Sequence, residues 1–119
     1  MRIKTSKNVL NKLPELKKFL KFDNDAQVLK FAINFTLNDE KALLESVVED
    51  GFESDTTILF GEEVNYYNFL IDYKFGSSKD KHIYSMMIEY GILKMEYYVK
   101  MSKYNYTSFI KKIGETLCT

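Results

Sequence analysis

The chain has 119 residues, 45% of them hydrophobic, with 17 Lys+Arg against 17 Asp+Glu, five Gly, one Pro and one Cys. That length supports one domain able to bury its own core, and so few Gly and Pro leave little room for linkers. A lone Cys118 excludes an intrachain disulfide, lysines interrupt the apolar residues of Met1–Leu20, and no run approaches the ~18 apolar residues of a membrane span, so a cytoplasmic chain without signal peptide or membrane contact is expected.

The charges are unevenly placed. Arg2, Lys4, Lys7, Lys12, Lys17, Lys18 and Lys21 precede all acids but Glu15, whereas Asp39, Glu40, Glu45, Glu49, Asp50, Glu53, Asp55, Glu62 and Glu63 are offset only by Lys41. A neutral chain with a basic front and an acidic middle presents two surfaces of opposite sign, and the basic one suggests nucleic-acid contact.

Arg2–Ser6 alternates charge and bulk and predicts a short half-buried strand. Ser6 or Asn8 can cap a helix carrying Val9, Leu10, Leu13, Leu16, Phe19 and Leu20, which Pro14 should kink or restart near Leu13. Asp23-Asn24-Asp25 offers the next cap, and Ala26–Leu37 is apolar nearly all round. Asn38–Asp50 reads as a third, short amphipathic helix stopped by Gly51, and Thr56–Phe60 as a strand or extended piece ended by Gly61. Glu62 and Glu63 suit the start of a helix that ends at Phe75-Gly76-Ser77-Ser78, Asp80 opens the longest helix to about Lys100, and a last helix spans about Ser108–Leu117.

The fold expected is therefore mainly α, a compact helical domain over residues 1–119. Ala26–Leu37 and Asp80–Lys100 are too apolar all round for both to lie on the surface of a lone domain this small, which predicts self-association through those faces.

Catalytic chemistry finds little to stand on. His82 is the only histidine and falls in the first turn of the longest helix, Cys118 lies one residue from the end, and no metal-ligand, phosphate-loop or dinucleotide spacing occurs. No catalytic residue, metal or cofactor is expected. Lys17, Lys18 and Lys21, spaced along one helical face, form a candidate phosphate-tracking patch that Lys30 joins if the two helices fold back on each other. Lysines are point charges suited to backbone contact, and no base-reading set stands out. Arg2 and Lys4 complete the candidate DNA-binding residues; in a dimer with paired strands they would enter the major groove.

The opening strand–helix–helix, Arg2-Ile3-Lys4-Thr5-Ser6 through Asp25-Ala26-Gln27-Val28-Leu29-Lys30-Phe31-Ala32-Ile33, resembles a ribbon-helix-helix unit over about residues 2–37. With Asp50-Gly51-Phe52-Glu53, Thr57-Ile58-Leu59-Phe60-Gly61-Glu62, then Tyr67 and Leu70, and finally Ile88-Glu89-Tyr90-Gly91-Ile92-Leu93, the chain is similar to the DndE family of the bacterial DNA phosphorothioation (sulfur modification) system. The resemblance spans about Arg2 to Leu93, taking in the ribbon-helix-helix-like first unit and most of a helical remainder at 38–100. Residues 101–119, read as an extra C-terminal helix, are additional. The family tends to carry Arg where Lys30 stands, Ser at Thr36, and His and Arg at Met87 and Tyr90; Lys30 keeps charge but loses a forked donor. What the resemblance implies is a non-catalytic DNA-binding or scaffolding subunit, homo-oligomeric up to a tetramer, beside a cysteine desulfurase and ATP-using partners. A ribbon-helix-helix transcriptional regulator and a protein-only scaffold, pairing basic front to acidic flank between copies, are the alternatives.

Overall fold

The computed structural model describes residues 1–76, 78 and 80–117; Ser77, Lys79, Cys118 and Thr119 lie outside them. Strand β1 (Arg2–Thr5) leads into α1 (Lys7–Leu20) and α2 (Asp25–Asn38). An irregular strap over 39–51 reaches β2 (Phe52–Asp55), which runs straight into the one-turn α3 (Thr56–Phe60) and a 3-10 turn (Gly61–Glu63). Helices α4 (Val64–Phe75), α5 (Lys81–Met101) and α6 (Tyr106–Leu117) complete the mainly α architecture.

Capping chemistry sets the helix starts. Ser6 Oγ accepts from the Val9 N–H at 3.2 Å, opening α1. Asn24 and Gln27 form a reciprocal capping box at α2, and Asp80 accepts from the His82 N–H at 2.9 Å to open α5. Pro14 neither breaks nor restarts α1, which runs through it as one helix, because its ring lies on the exposed face and only one ladder donor is missing.

The core is centred on α2 and α5. Val28, Ala32, Ile33, Met87, Ile88, Ile92 and Met95 are almost wholly buried. A Cβ on Gly91 would lie 2.4 Å from the Ala32 carbonyl oxygen, so glycine there lets the two helices cross with backbones touching. The reason given for self-association is thereby corrected: α2 and α5 cover each other's apolar faces within one chain, with α1 and α6 packed onto α5.

Two further sequence expectations are corrected. Thr56–Phe60 is a helical turn, because Asp55 Oδ1 accepts from both the Thr57 N–H (2.9 Å) and its hydroxyl (2.8 Å), capping it. The strand lies just before, where Phe52–Asp55 pairs antiparallel with β1 in the register Arg2↔Asp55, Ile3↔Ser54, Lys4↔Glu53, Thr5↔Phe52.

Asn38–Asp50 is also not a third helix: only Asn38 belongs to α2, and the strap follows. It is fastened at both ends. At one, Asp39 Oδ2 accepts from the Tyr90 hydroxyl at 2.5 Å, and Lys74 Nζ reaches the Asp39 carbonyl at 2.6 Å. At the other, Asp50 Oδ1 accepts from the Lys7 N–H at 3.0 Å, and Glu49 meets His82 Nδ1. A Cβ on Gly51 would fall 1.9 Å from the Thr5 carbonyl oxygen, so the strap enters the sheet where only glycine fits.

Candidate nucleic-acid interface

The order strand–helix–helix stands as expected, but the strand's partner belongs to the same chain. The Thr56 N–H donates to the Met1 carbonyl at 2.9 Å, which continues the β1–β2 ladder and turns the odd-numbered backbone groups of β1 toward β2. Lys4 therefore presents its carbonyl at the opposite edge, where the Ser85 hydroxyl donates to it at 2.6 Å. On the outer face Arg2 forms an ion pair with Glu53, and Lys4 lies directly opposite that same Glu53. Arg2 is thus paired on this face, whereas the exposed Lys4 forms no ion pair among the described residues.

Part of the acidic middle is spent in the same way. Lys30 Nζ sits 3.1 Å from Glu63 Oε1 and 5.7 Å from the Tyr67 ring centroid. It faces the 3-10 turn and α4, so its charge is committed there. Asp55 lies 3.7 Å from the N-terminal amine; its carboxyl is held below the usual range mainly by the Thr57 backbone N–H. Basic front and acidic middle thus meet inside one molecule.

What remains is the outer face of α1. Its buried stripe is Val9, Leu13, Leu16 and Leu20. Lys7, Asn11, Pro14, Lys18 and Lys21 follow one another at four- and three-residue spacing on the opposite side, and all are exposed. Lys17 sits on the flank of this face, 3.3 Å from Asp25 Oδ1. Among the described residues Lys7 and Lys18 have no ion pair, and Lys21 Nζ lies 5.1 Å over the Tyr106 ring. From Lys7 to Lys18 the helix rises ~16 Å.

Tyr106, at the start of α6, is brought there by Phe19, whose ring is 5.9 Å from Tyr106 and 5.2 Å from Phe109 in an edge-on contact. Lys21 is itself the left-handed cap of α1, with φ 62, donating its N–H to the Lys17 and Lys18 carbonyls. The patch therefore sets the lysines beside a half-exposed aromatic ring over which the Lys21 ammonium rests. Of the residues on and beside this face, the sequence alone pointed to Lys17, Lys18 and Lys21 as candidates. It missed Tyr106, a contact across some 85 residues of chain, and Lys7, whose place on the line with Lys18 and Lys21 was visible in their spacing.

The late helix behaves as core. Met87 is wholly buried, and its carbonyl lies 2.9 Å from Thr36 Oγ1, which shares its proton between that carbonyl and the one of Ala32, also 2.9 Å away. Tyr90 is committed to Asp39; burial, and then that carboxylate, push its hydroxyl pKa upward. Beside it, a groove of about 650 Å³ runs between the strap and α5, lined by Leu43, Val47, Met86, Tyr90, Leu93 and Tyr97 among others. Among the described residues no three His, Cys, Asp or Glu side chains group as a metal site, and no helix is long and apolar enough to cross a membrane. His82 is exposed, and Cys118 lies outside the described residues.

Compared with protein-family models, with characterised proteins and with solved structures, the chain matches none.

Proposed function

We propose that the protein is a non-catalytic subunit that holds the backbone of DNA against the outer face of α1, through Lys7, Lys18 and Lys21 with Lys17 at the flank. The observation that carries this is the contrast in charge pairing. Arg2 and Lys30 are neutralised by Glu53 and Glu63, whereas Lys7 and Lys18 keep their charge on one exposed helical line. Lysines so placed attract phosphates without reading bases. The same residues also serve α1, since Lys17 and Lys18 in its last turn complement the helix dipole.

The tie to DNA phosphorothioation comes from the order of the segments between Arg2 and Leu93. In that reading the protein is a cytoplasmic, self-associating accessory subunit working beside the sulfur-transferring and ATP-using components. The regulator alternative is the weaker one, because β1 spends its pairing edge on β2. The charge argument for the scaffold alternative is weaker, because Glu53 and Glu63 of the acidic middle are paired within the chain.

Fluorescence anisotropy with a random DNA duplex at about 50 and 200 mM salt tests the proposal. Three phosphate contacts give a log–log salt slope of about −2.7, the same for unrelated sequences. No binding at the lower salt would overturn it.

A further inference from the structure

Helix α4 buries one side only. Tyr67 and Ile71 enter the core, Tyr67 stacking on Phe60 at 4.0 Å between ring centroids. On the other side Tyr66, Phe69 and Tyr73 are 57%, 67% and 86% exposed, at i, i+3 and i+7 on one line of the helix. An aromatic side chain buries 150–250 Å² when covered, so the three leave about 400 Å² of ring surface in water. A homodimer of standard size needs about 800 Å² per partner, roughly two-thirds of it apolar. This stripe supplies most of that apolar share.

We propose that a second copy of the chain covers this stripe, with the two α4 helices antiparallel about a two-fold axis beside Phe69 and Leu70. Two features select that occupant. The stripe is self-complementary when reversed: Tyr66 and Tyr73 stand at equal distances on either side of the midpoint between Phe69 and Leu70, so each Tyr66 meets the other copy's Tyr73 and the two Phe69 rings meet at the centre. Charge then sets the direction. Glu62 is exposed at the N-terminal end of the helix, beside a Glu63 already paired with Lys30; a parallel pair would bring the two Glu62 carboxylates together, whereas the antiparallel pair sends them apart and aligns the helix dipoles favourably. A nucleic-acid strand fits the stripe poorly, because Glu62, Glu63 and Asp72 flank it.

This inference rests on the reading of the protein as a homo-oligomer and is independent of its contact with DNA. Sedimentation equilibrium of the full chain tests it, with Phe69→Lys, Phe69→Glu and an equimolar mixture of the two. The wild type should associate at micromolar concentration, and each single variant should weaken association at least about a hundredfold, as for the central aromatic of an interface. The mixture should recover association, because Lys and Glu then face each other at the axis. A wild-type chain that stays monomeric at about 100 μM, some tenfold above a 10 μM dissociation constant, would overturn both the interface and the homo-oligomer. Association unaltered in Phe69→Lys would place the contact on another face and overturn only the α4 interface. Loss in both variants without recovery in the mixture would overturn the antiparallel register. Unchanged circular dichroism of the variants separates these results from unfolding, and salt-dependent DNA binding by a monomeric variant would leave the DNA reading standing.

Discussion

Gly91 touches the backbone of Ala32 where α5 crosses α2, and the carbonyl oxygen, carbonyl carbon and Cα of Ala32 would lie 2.4, 2.8 and 2.9 Å from any Cβ added there. Backbone cannot rotate away as a side chain can, so Gly91→Ala must push the two central helices apart. The expected cost is about 2–3 kcal/mol, even after the ~1 kcal/mol that alanine gains in helix propensity. Gly114→Ala in α6 is the matched control, because nothing lies within 4 Å of its added Cβ. It should stabilise by up to ~1 kcal/mol. Urea denaturation of both variants measures the contrast.

Lys74 fastens a different junction. Its ammonium donates to the carbonyls of Thr36 (3.0 Å), Leu37 (2.8 Å) and Asp39 (2.6 Å), so a side chain of α4 closes the C-terminus of α2. Burial lowers the pKa of this amine, with the charges of Asp39 and Glu40 acting against the shift. Lys74→Met keeps the stem and removes the donors, and should cost about 2 kcal/mol by leaving helix-end carbonyls unpaired. The loss is read as a lower midpoint in the same denaturation experiment.

Alkaline pH provides a third test. Burial, with the Asp72 charge adding to it, pushes the Tyr84 hydroxyl up to about 12, and the hydroxyl donates to Asn68 Oδ1 at 2.5 Å. An unfolded tyrosine loses its proton near pH 10, so between about pH 10 and 12 the folded state binds more protons than the unfolded one. The stabilisation is complete below pH 10 and is lost as pH rises through that window. Tyr84→Phe should decline less steeply with pH across it, although it loses the Asn68 bond. Equal slopes for the two proteins, measured by denaturation at stepped pH, would contradict this.

The strap at 39–51 is expected to exchange its amide hydrogens far faster than α2 or α5, since almost none of its backbone takes part in a regular ladder. Hydrogen exchange followed by mass spectrometry checks this. Protection over Leu43–Val48 equal to that of α5 would contradict it.

The strap also shows where sequence reading stops. Caps and apolar spacing placed α2 and α5 to within a residue or two, because Asn24, Asp80 and the buried stripes act locally. Ala42, Leu43 and Val47 carry the same helical spacing, yet that segment is stretched between Asp39, held by Tyr90 and Lys74, and Gly51, seated against Thr5. Those partners lie far along the chain and leave no local mark. The strand moved for a related reason: Phe52–Asp55 is poor in β-branched residues and is extended by pairing with β1, while the β-branched Thr56-Thr57-Ile58 is turned into a helix by the carboxylate of Asp55. In the candidate site, the exposed line of α1 followed from spacing alone. The pairing of Lys30 with Glu63 and the approach of Tyr106 to Lys21 depended on tertiary packing.

A charge-reversal series on α1 decides whether its outer face holds phosphates. Lys17, Lys18 and Lys21 changed together to Glu should abolish duplex binding at about 50 mM salt and leave the fold intact, because exposed charges are worth only about 0–1 kcal/mol each. Lys7→Gln alone should lower the salt slope by roughly one unit. Reversal of Lys81 and Lys103, with Lys79 outside the described residues, should do much less. A triple Glu variant that binds DNA with the wild-type affinity and salt slope would show that the lysine face is solvated surface only.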